Sequence, residues 1–267
     1  MKLLLEYGAD PNLHANGGMT AFNAATENCH EHVTNLLTER SNVKSVTIKN
    51  RMLSYEERQK SFEPRTTTLI SCNEEHPGAG SYLIDQVIPD SLQHFLDDLF
   101  VQLPIAAASD VKIRKNDSKI PCSKRHYFCD SEGAFSKAFA EYIQLALNKE
   151  THNNDSSQQL DVHVFPHMRF LNYTDAGSAL PPHVDLYKID HSTGKRSTHS
   201  FLLYLRDCEE GGETALLRDL REDSEIMAKV LPRKGRLLLF PHACPHEGGT
   251  VISTPKILLR GEVTINF

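Results

Sequence analysis

The stretch Leu180-Pro181-Pro182-His183-Val184-Asp185 sets an imidazole and a carboxylate two residues apart. In extended backbone, residues i and i+2 project from the same face, so His183 and Asp185 can reach one metal ion. The two prolines stiffen the approach to that strand. One imidazole and one carboxylate make only two ligands. Pro245-His246-Glu247-Gly248-Gly249 offers a third after the apolar run Gly235-Arg236-Leu237-Leu238-Leu239-Phe240. Two histidines and one carboxylate on one face of an ion suit non-haem Fe(II) and leave positions open for other ligands. His242 competes with His246 for the third place, its alternative being a turn histidine at the rim. In a chain with 14 histidines, His-x-Asp by itself also fits a solvated loop or a zinc site.

The last strand shows what else such a site would need. Counted alternately, Lys256, Leu258, Arg260, Glu262, Thr264 and Asn266 share one face, and Ile257, Leu259, Val263, Ile265 and Phe267 share the other. The apolar face can pack against helices or a second sheet. The other face sends two cations toward an interior, where an unpaired charge is costly. A bound dicarboxylate would relieve that cost at Lys256 or at Arg260. An ordinary pair with Glu262 would relieve it too. Tyr204 shares its face with Leu202 and Arg206, and Tyr173 and Thr214 are further pocket candidates; each tyrosine also fits a core position with a satisfied hydroxyl. Gly177, Gly211 and Gly212 read as turn or bulge residues.

These residues need elements to hold them. Pro89-Asp90-Ser91 precedes Leu92, Phe95, Leu96, Leu99, Phe100 and Leu103, a helical stripe that stops at Pro104. A second stripe runs through Phe135, Ala138, Phe139, Tyr142, Ile143, Ala146 and Leu147. From about Val162 to Phe267 the pattern changes to short strands and turns. Helices first and strands second give an α+β class, with helices packed outside a β-sandwich or jelly roll. Residues 43–80 lack a sustained period and read as a linker ending in His76-Pro77-Gly78-Ala79-Gly80.

The order and spacing of several motifs resemble the prolyl 4-hydroxylase-like 2-oxoglutarate dioxygenases. These are Arg169-Phe170-Leu171-Asn172-Tyr173, the His183-x-Asp185 stretch, Ser200 to Asp207, Gly211-Gly212-Glu213-Thr214, KGRLLLFPHACPHEGGTV and KILLRGEVTINF. The resemblance spans roughly residues 82–267. It implies a double-stranded β-helix of the jelly-roll or cupin-like kind, with Fe(II), 2-oxoglutarate, O2 and L-ascorbate as a reductant for oxidised iron. It also implies a prolyl residue of a peptide or protein as substrate. By the same resemblance His183, Asp185 and His246 are the metal ligands, His246 standing ten residues before Lys256. Lys256 matches the residue that takes the distal carboxylate, with Arg260 in reserve. Tyr204 matches a tyrosine that contacts that carboxylate, and Arg125 matches a position near the substrate mouth.

The N-terminal segment resembles something else. Leu3-Leu4-Leu5-Glu6-Tyr7-Gly8-Ala9-Asp10-Pro11-Asn12 looks like the close of one ankyrin repeat, and Gly18 to Glu39 looks like the next. Ala21-Phe22-Asn23 and Cys29 depart from the repeat pattern. One and a half units cannot bury their own apolar faces, so either these helices dock on the neighbouring domain or, the preferred reading, residues 1–42 are the end of a longer, truncated array that meets a protein partner. The domain boundaries expected are therefore 1–42, 43–80 and 81–267.

A net charge of −6 gives no electrostatic reason for nucleic acid or anionic lipid as partner. No apolar run approaches the roughly 20 residues that span a bilayer. Six scattered cysteines without a CxxC pair suit a reducing, intracellular compartment, cytoplasmic or nuclear. The rival to an enzyme is an ankyrin scaffold joined to a barrel that binds ligand without turnover.

Overall fold

The computed structural model describes residues 63–266 apart from 104, 106–122, 131–132, 152–159, 191–192 and 222. Before residue 63 it describes only 5–7, 9–10, 21, 24–25, 30, 32–33 and 36–37. Two helices, α1 (Asp90–Gln102) and α2 (Ala134–Thr151), accompany twelve strands from residue 63 onward. The strands are β1 (Arg65–Ile70), β2 (Ser81–Asp85), β3 (Lys124–Cys129), β4 (Asp161–Val164), β5 (His167–Tyr173), β6 (Leu180–His183), β7 (His199–Tyr204), β8 (Thr214–Leu217), β9 (Ile226–Val230), β10 (Leu237–Pro241), β11 (His246–Gly248) and β12 (Lys256–Asn266). Strands outweigh helices, so among the described residues the fold is mostly β with few helices, where the sequence points to an α+β class.

Two antiparallel sheets form the frame. The larger runs β1-β2-β10-β7-β12-β5-β3, with β4 also paired to β12, and the smaller runs β6-β11-β8-β9. The alternation along β12 sorts two cores. Ile257, Leu259, Val263 and Ile265 join the buried stripes of α1 and α2 on one side of the large sheet. Leu258 joins Tyr173, Tyr204, Leu216 and Phe240 on the other side, between the sheets.

Both helices follow their stripes. Leu92, Phe95, Leu96 and Leu99 of α1 are buried, as are all seven apolar positions named for α2. α1 stops where Leu103 turns extended (φ −77°, ψ 139°), the conformation favoured for a residue before proline. At the start of α2, Asp130 accepts hydrogen bonds from the Ser136 backbone N–H at 2.6 Å and the Ser136 hydroxyl at 2.8 Å. Such a carboxylate satisfies a donor that the helix leaves open.

Two expectations need correction. Residues 43–80 are not all linker: β1 pairs with β2, and the turn that follows is packed. His76 Nε2 lies 3.1 Å from the Leu217 carbonyl, and a Cβ added at Gly78 would meet Cys244 Sγ at 2.5 Å. Only glycine fits there without movement of its neighbours. Arg206 does not extend the Tyr204 face, because β7 ends at Tyr204. It pairs instead with Asp97 of α1, at 2.5 Å.

The ankyrin reading of residues 1–42 falls mostly outside the described residues. Of those described, Leu5, Glu6, Ala21, Ala24, Ala25, His32, Val33, Leu36 and Leu37 are helical. Buried Ala25 and Leu37 pack with Leu5, Ala21 and Val33. No helix among the described residues is long and apolar enough to cross a membrane.

Candidate metal centre

The two candidate histidines end up as direct neighbours across the small sheet. β6 and β11 are antiparallel, and His183 stands opposite His246, with ring centroids 4.2 Å apart. Asp185 lies just past the end of β6, anchored by its backbone N–H donating to the His242 carbonyl at 3.0 Å. Its carboxylate oxygens are 3.8 Å from His183 Nε2 and 3.8 Å from His246 Nε2. One ligand atom from each of the three lies within 4.8 Å of the others.

The ring orientations favour metal. His183 Nδ1 is 2.9 Å from the Pro181 carbonyl, and His246 Nδ1 is 3.0 Å from the Cys244 carbonyl. A carbonyl can only accept, so each Nδ1 carries a proton, and in the neutral ring Nε2 then keeps its lone pair for an ion. Burial, then the neighbouring His183, pushes the His246 pKa down to about 4, so that ring is neutral near pH 7. Burial acts to raise the Asp185 pKa. Arg260 and His246 outweigh it, with hydrogen bonds from Arg260 and Ser200, and hold the carboxyl well below the usual range. Two imidazoles and one ionised carboxylate are the donor set that a divalent ion with open positions requires.

His242, the rival ligand, is turned to other work. Its Nε2 lies 2.7 Å from the Ser197 hydroxyl and its Nδ1 lies 3.0 Å from the Ser200 hydroxyl. Ser200 in turn donates to Asp185 at 2.5 Å. Neither Ser197 nor Ser200 was singled out in the sequence as a site residue. Ser200 was within reach, since it sits two and four residues before Leu202 and Tyr204 on the same face of β7.

Lys256 and Arg260 both face the interior and differ in company. Lys256 is 2 % exposed, and no carboxylate stands within ion-pair distance of it among the described residues. Its ammonium lies 5.0 Å from the centre of the Tyr173 ring, and burial pushes its pKa down to about 8. Gly212 is there for room: its φ is +69°, and an added Cβ would meet the Lys256 stem at 3.1 Å. Nearby, the fully buried Tyr204 hydroxyl donates to Thr214 at 2.7 Å. Arg260, by contrast, reaches Asp185 at 2.6 Å and Glu262 at 3.1 Å.

Burial raises the Tyr173 pKa, against a hydrogen bond with Ser123 and the charges of Arg125, Arg260 and Arg169, which act to lower it. Arg169 was named only as part of a motif, and its side chain is a further occupant of this interior.

Residues 168–261 match the family model described as the 2OG-Fe(II) oxygenase superfamily. That stretch contains His183, Asp185, His246, Lys256 and Arg260, and it includes none of residues 1–42. No curated protein matches the chain closely enough to count as a relative. Among solved structures, a viral collagen prolyl hydroxylase from Paramecium Bursaria Chlorella virus-1, in complex with 2-oxoglutarate, is 18 % identical. It covers 71 % of this chain and 98 % of its own, with a TM-score of 0.45. A prolyl-4-hydroxylase from Pseudomonas putida is 18 % identical over 68 % of this chain and 91 % of its own, with a TM-score of 0.45. HygX from Streptomyces hygroscopicus, with nickel and 2-oxoglutarate bound, is 15 % identical over 69 % and 82 %, with a TM-score of 0.41. These three carry no argument about what this chain acts on. The stretch that matches the 2OG-Fe(II) oxygenase model, residues 168–261, is the one that brings the candidate metal ligands together.

Proposed function

We propose that the protein hydroxylates a C–H bond of a prolyl residue in a peptide or protein, using Fe(II), 2-oxoglutarate and O2, with L-ascorbate keeping the iron reduced. The observation that carries this reading is a pair of complementary vacancies in charge and coordination. The Nε2 atoms of His183 and His246 each lie 3.8 Å from an Asp185 carboxylate oxygen. On the same interior, Lys256 is a buried cation with no carboxylate at ion-pair distance among the described residues.

His183, Asp185 and His246 would hold the metal, and Lys256 would take the distal carboxylate of 2-oxoglutarate. Tyr204 and Thr214 line that end of the pocket, and Tyr173 presents its ring to the lysine. Ser200 and His242 orient Asp185 so that its oxygens face the two imidazoles. The Pro181 and Cys244 carbonyls fix the two rings in the tautomer that binds a cation. The apolar residues between the sheets keep water from the reacting carbon. The bound metal and cosubstrate supply O2 activation for hydroxylation, leaving succinate and CO2. The choice of proline rests on the sequence resemblance over residues 82–267. The N-terminal segment is proposed to recruit a protein partner as the end of an ankyrin array.

The test is succinate formation from 2-oxoglutarate with proline-containing peptides, read together with the gain of one oxygen in the peptide. Succinate in the wild type and none in His183→Ala is the expected result. Iron-loaded, folded protein that makes no succinate with any peptide would favour the scaffold reading.

A further inference from the structure

Beside the metal ligands, on the side of the large sheet that faces them, stands a positive wall that the proposed chemistry does not use. Arg260 of β12 is directly opposite Arg169 of β5, and residues opposite each other in an antiparallel ladder point to the same face. Arg125 of β3 lies opposite Leu171, which lies opposite Leu258, so Arg125 shares that face as well. Two like charges directly opposite each other on a sheet repel, and the fold has kept them here.

Within that wall it is Arg169 that is left unmatched among the described residues. Arg260 is matched by Asp185 and Glu262. Arg169 has no hydrogen bond or ion pair among the described residues, although it is half-buried. Burial, followed by repulsion from Arg260, pushes its pKa down to about 10, so it stays protonated near pH 7. Arg125 acts on it in the same sense, and Glu262 and Tyr127 act against them. Loading the site does not change this balance. Fe(II) and the 2-oxoglutarate dianion cancel each other, Lys256 is engaged by the distal carboxylate, and Asp185 is committed to the metal. A guanidinium presents a planar fork that matches a carboxylate.

We propose that the substrate carries a carboxylate next to the residue to be oxidised, and that Arg169 holds it while the target carbon faces the metal. This deepens the reading of the site as a 2-oxoglutarate oxygenase and rests on it. The carboxylate is an Asp or Glu side chain, or the terminal carboxylate of a chain. Arg260 sits between the two charges it must separate, bound to Asp185 on one side and facing the substrate anion through Arg169 on the other.

The test uses the anaerobic holoprotein loaded with Fe(II) and 2-oxoglutarate, and reads peptide binding directly by calorimetric titration. The probes are acetyl-Pro-Asp-amide against acetyl-Pro-Asn-amide, and acetyl-Pro-Gly with a free carboxylate against its amide. At least one acidic probe is expected to bind about tenfold or more tightly than its amide. The ratio should fall to about one in Arg169→Gln and persist in large part in Arg169→Lys. Whichever probe is preferred identifies the side-chain or the terminal source. Equal affinities within both pairs in the wild type would overturn the proposal without any variant. So would a preference that survives Arg169→Gln, or no acidic probe binding while the visible charge-transfer band of the Fe(II)–2-oxoglutarate chelate is present. If that band never forms in wild type, it is the underlying site reading that fails.

Discussion

On one face of β12, Lys256 and Arg260 stand four residues apart, roughly 13 Å along the strand, and their surroundings are opposite. Lys256 is buried with no carboxylate in reach among the described residues, and its pKa is pushed down to about 8. Arg260 is almost as buried, and although burial lowers its pKa, Asp185 and Glu262 more than reverse that and raise it. The alternation of β12 is the same for both. What separates them is what the other strands bring: β6 and the turn after it deliver Asp185 to the arginine, and β8 and β5 deliver Thr214 and Tyr173 to the lysine's end. A buried cation with a protein partner is part of the framework, and one without is a place for a ligand.

The largest effect that can break this contrast is on stability. Arg260→Ala strands two buried carboxylates, and unfolding experiments should show a loss of about 3–5 kcal/mol. A loss under about 1 kcal/mol would remove Arg260 from the framework. Lys256→Met should behave in the reverse way. The ligand-free protein should keep its thermal midpoint or raise it, while 2-oxoglutarate affinity falls on the order of a hundredfold, as measured by titration calorimetry.

The two cations should also differ with pH. The charged form of Lys256 binds the dicarboxylate, and that form is present below about 8. Affinity for 2-oxoglutarate is therefore expected to be full below that pH and to fall toward tenfold per unit above it. In the ligand-free protein the sign is reversed. A lysine pKa depressed by folding destabilises the fold below about 8, and the penalty fades as pH rises into the ordinary lysine range. Lys256→Arg, which keeps its proton, should flatten the affinity profile. The smallest change is Tyr204→Phe, which leaves the buried Thr214 hydroxyl without its donor. About 1 kcal/mol of stability should be lost, with a modest rise in the dissociation constant for 2-oxoglutarate. No change in either would reduce Tyr204 to a packing residue.

Much of this was legible because local rules were enough. The stripes of α1 and α2 are helical in period and were found at their buried positions. The two faces of β12 follow from strand alternation alone. β1 was missed because Arg65-Thr66-Thr67-Thr68 has no apolar alternation: it is an edge strand, largely exposed on both sides, and reads as polar linker. The pairing of Arg260 with Asp185 was hidden for a different reason. Glu262, two residues away on the same strand, was visible as a partner, but Asp185 is 75 positions distant in the chain and arrives only through the packing of one sheet on the other. The same holds for Arg169 opposite Arg260, a juxtaposition set by strand register.

The central claim is that His183, Asp185 and His246 hold Fe(II) for a 2-oxoglutarate whose far end is taken by Lys256. The most direct measurement is anaerobic addition of 2-oxoglutarate to Fe(II)-loaded protein, watching for the visible charge-transfer band of the chelate. The band should form in the wild type, be absent in His183→Ala, and need on the order of a hundredfold more cosubstrate in Lys256→Met. A folded, iron-bound wild type that gives no band, or a Lys256→Met protein that titrates like the wild type, would contradict the account.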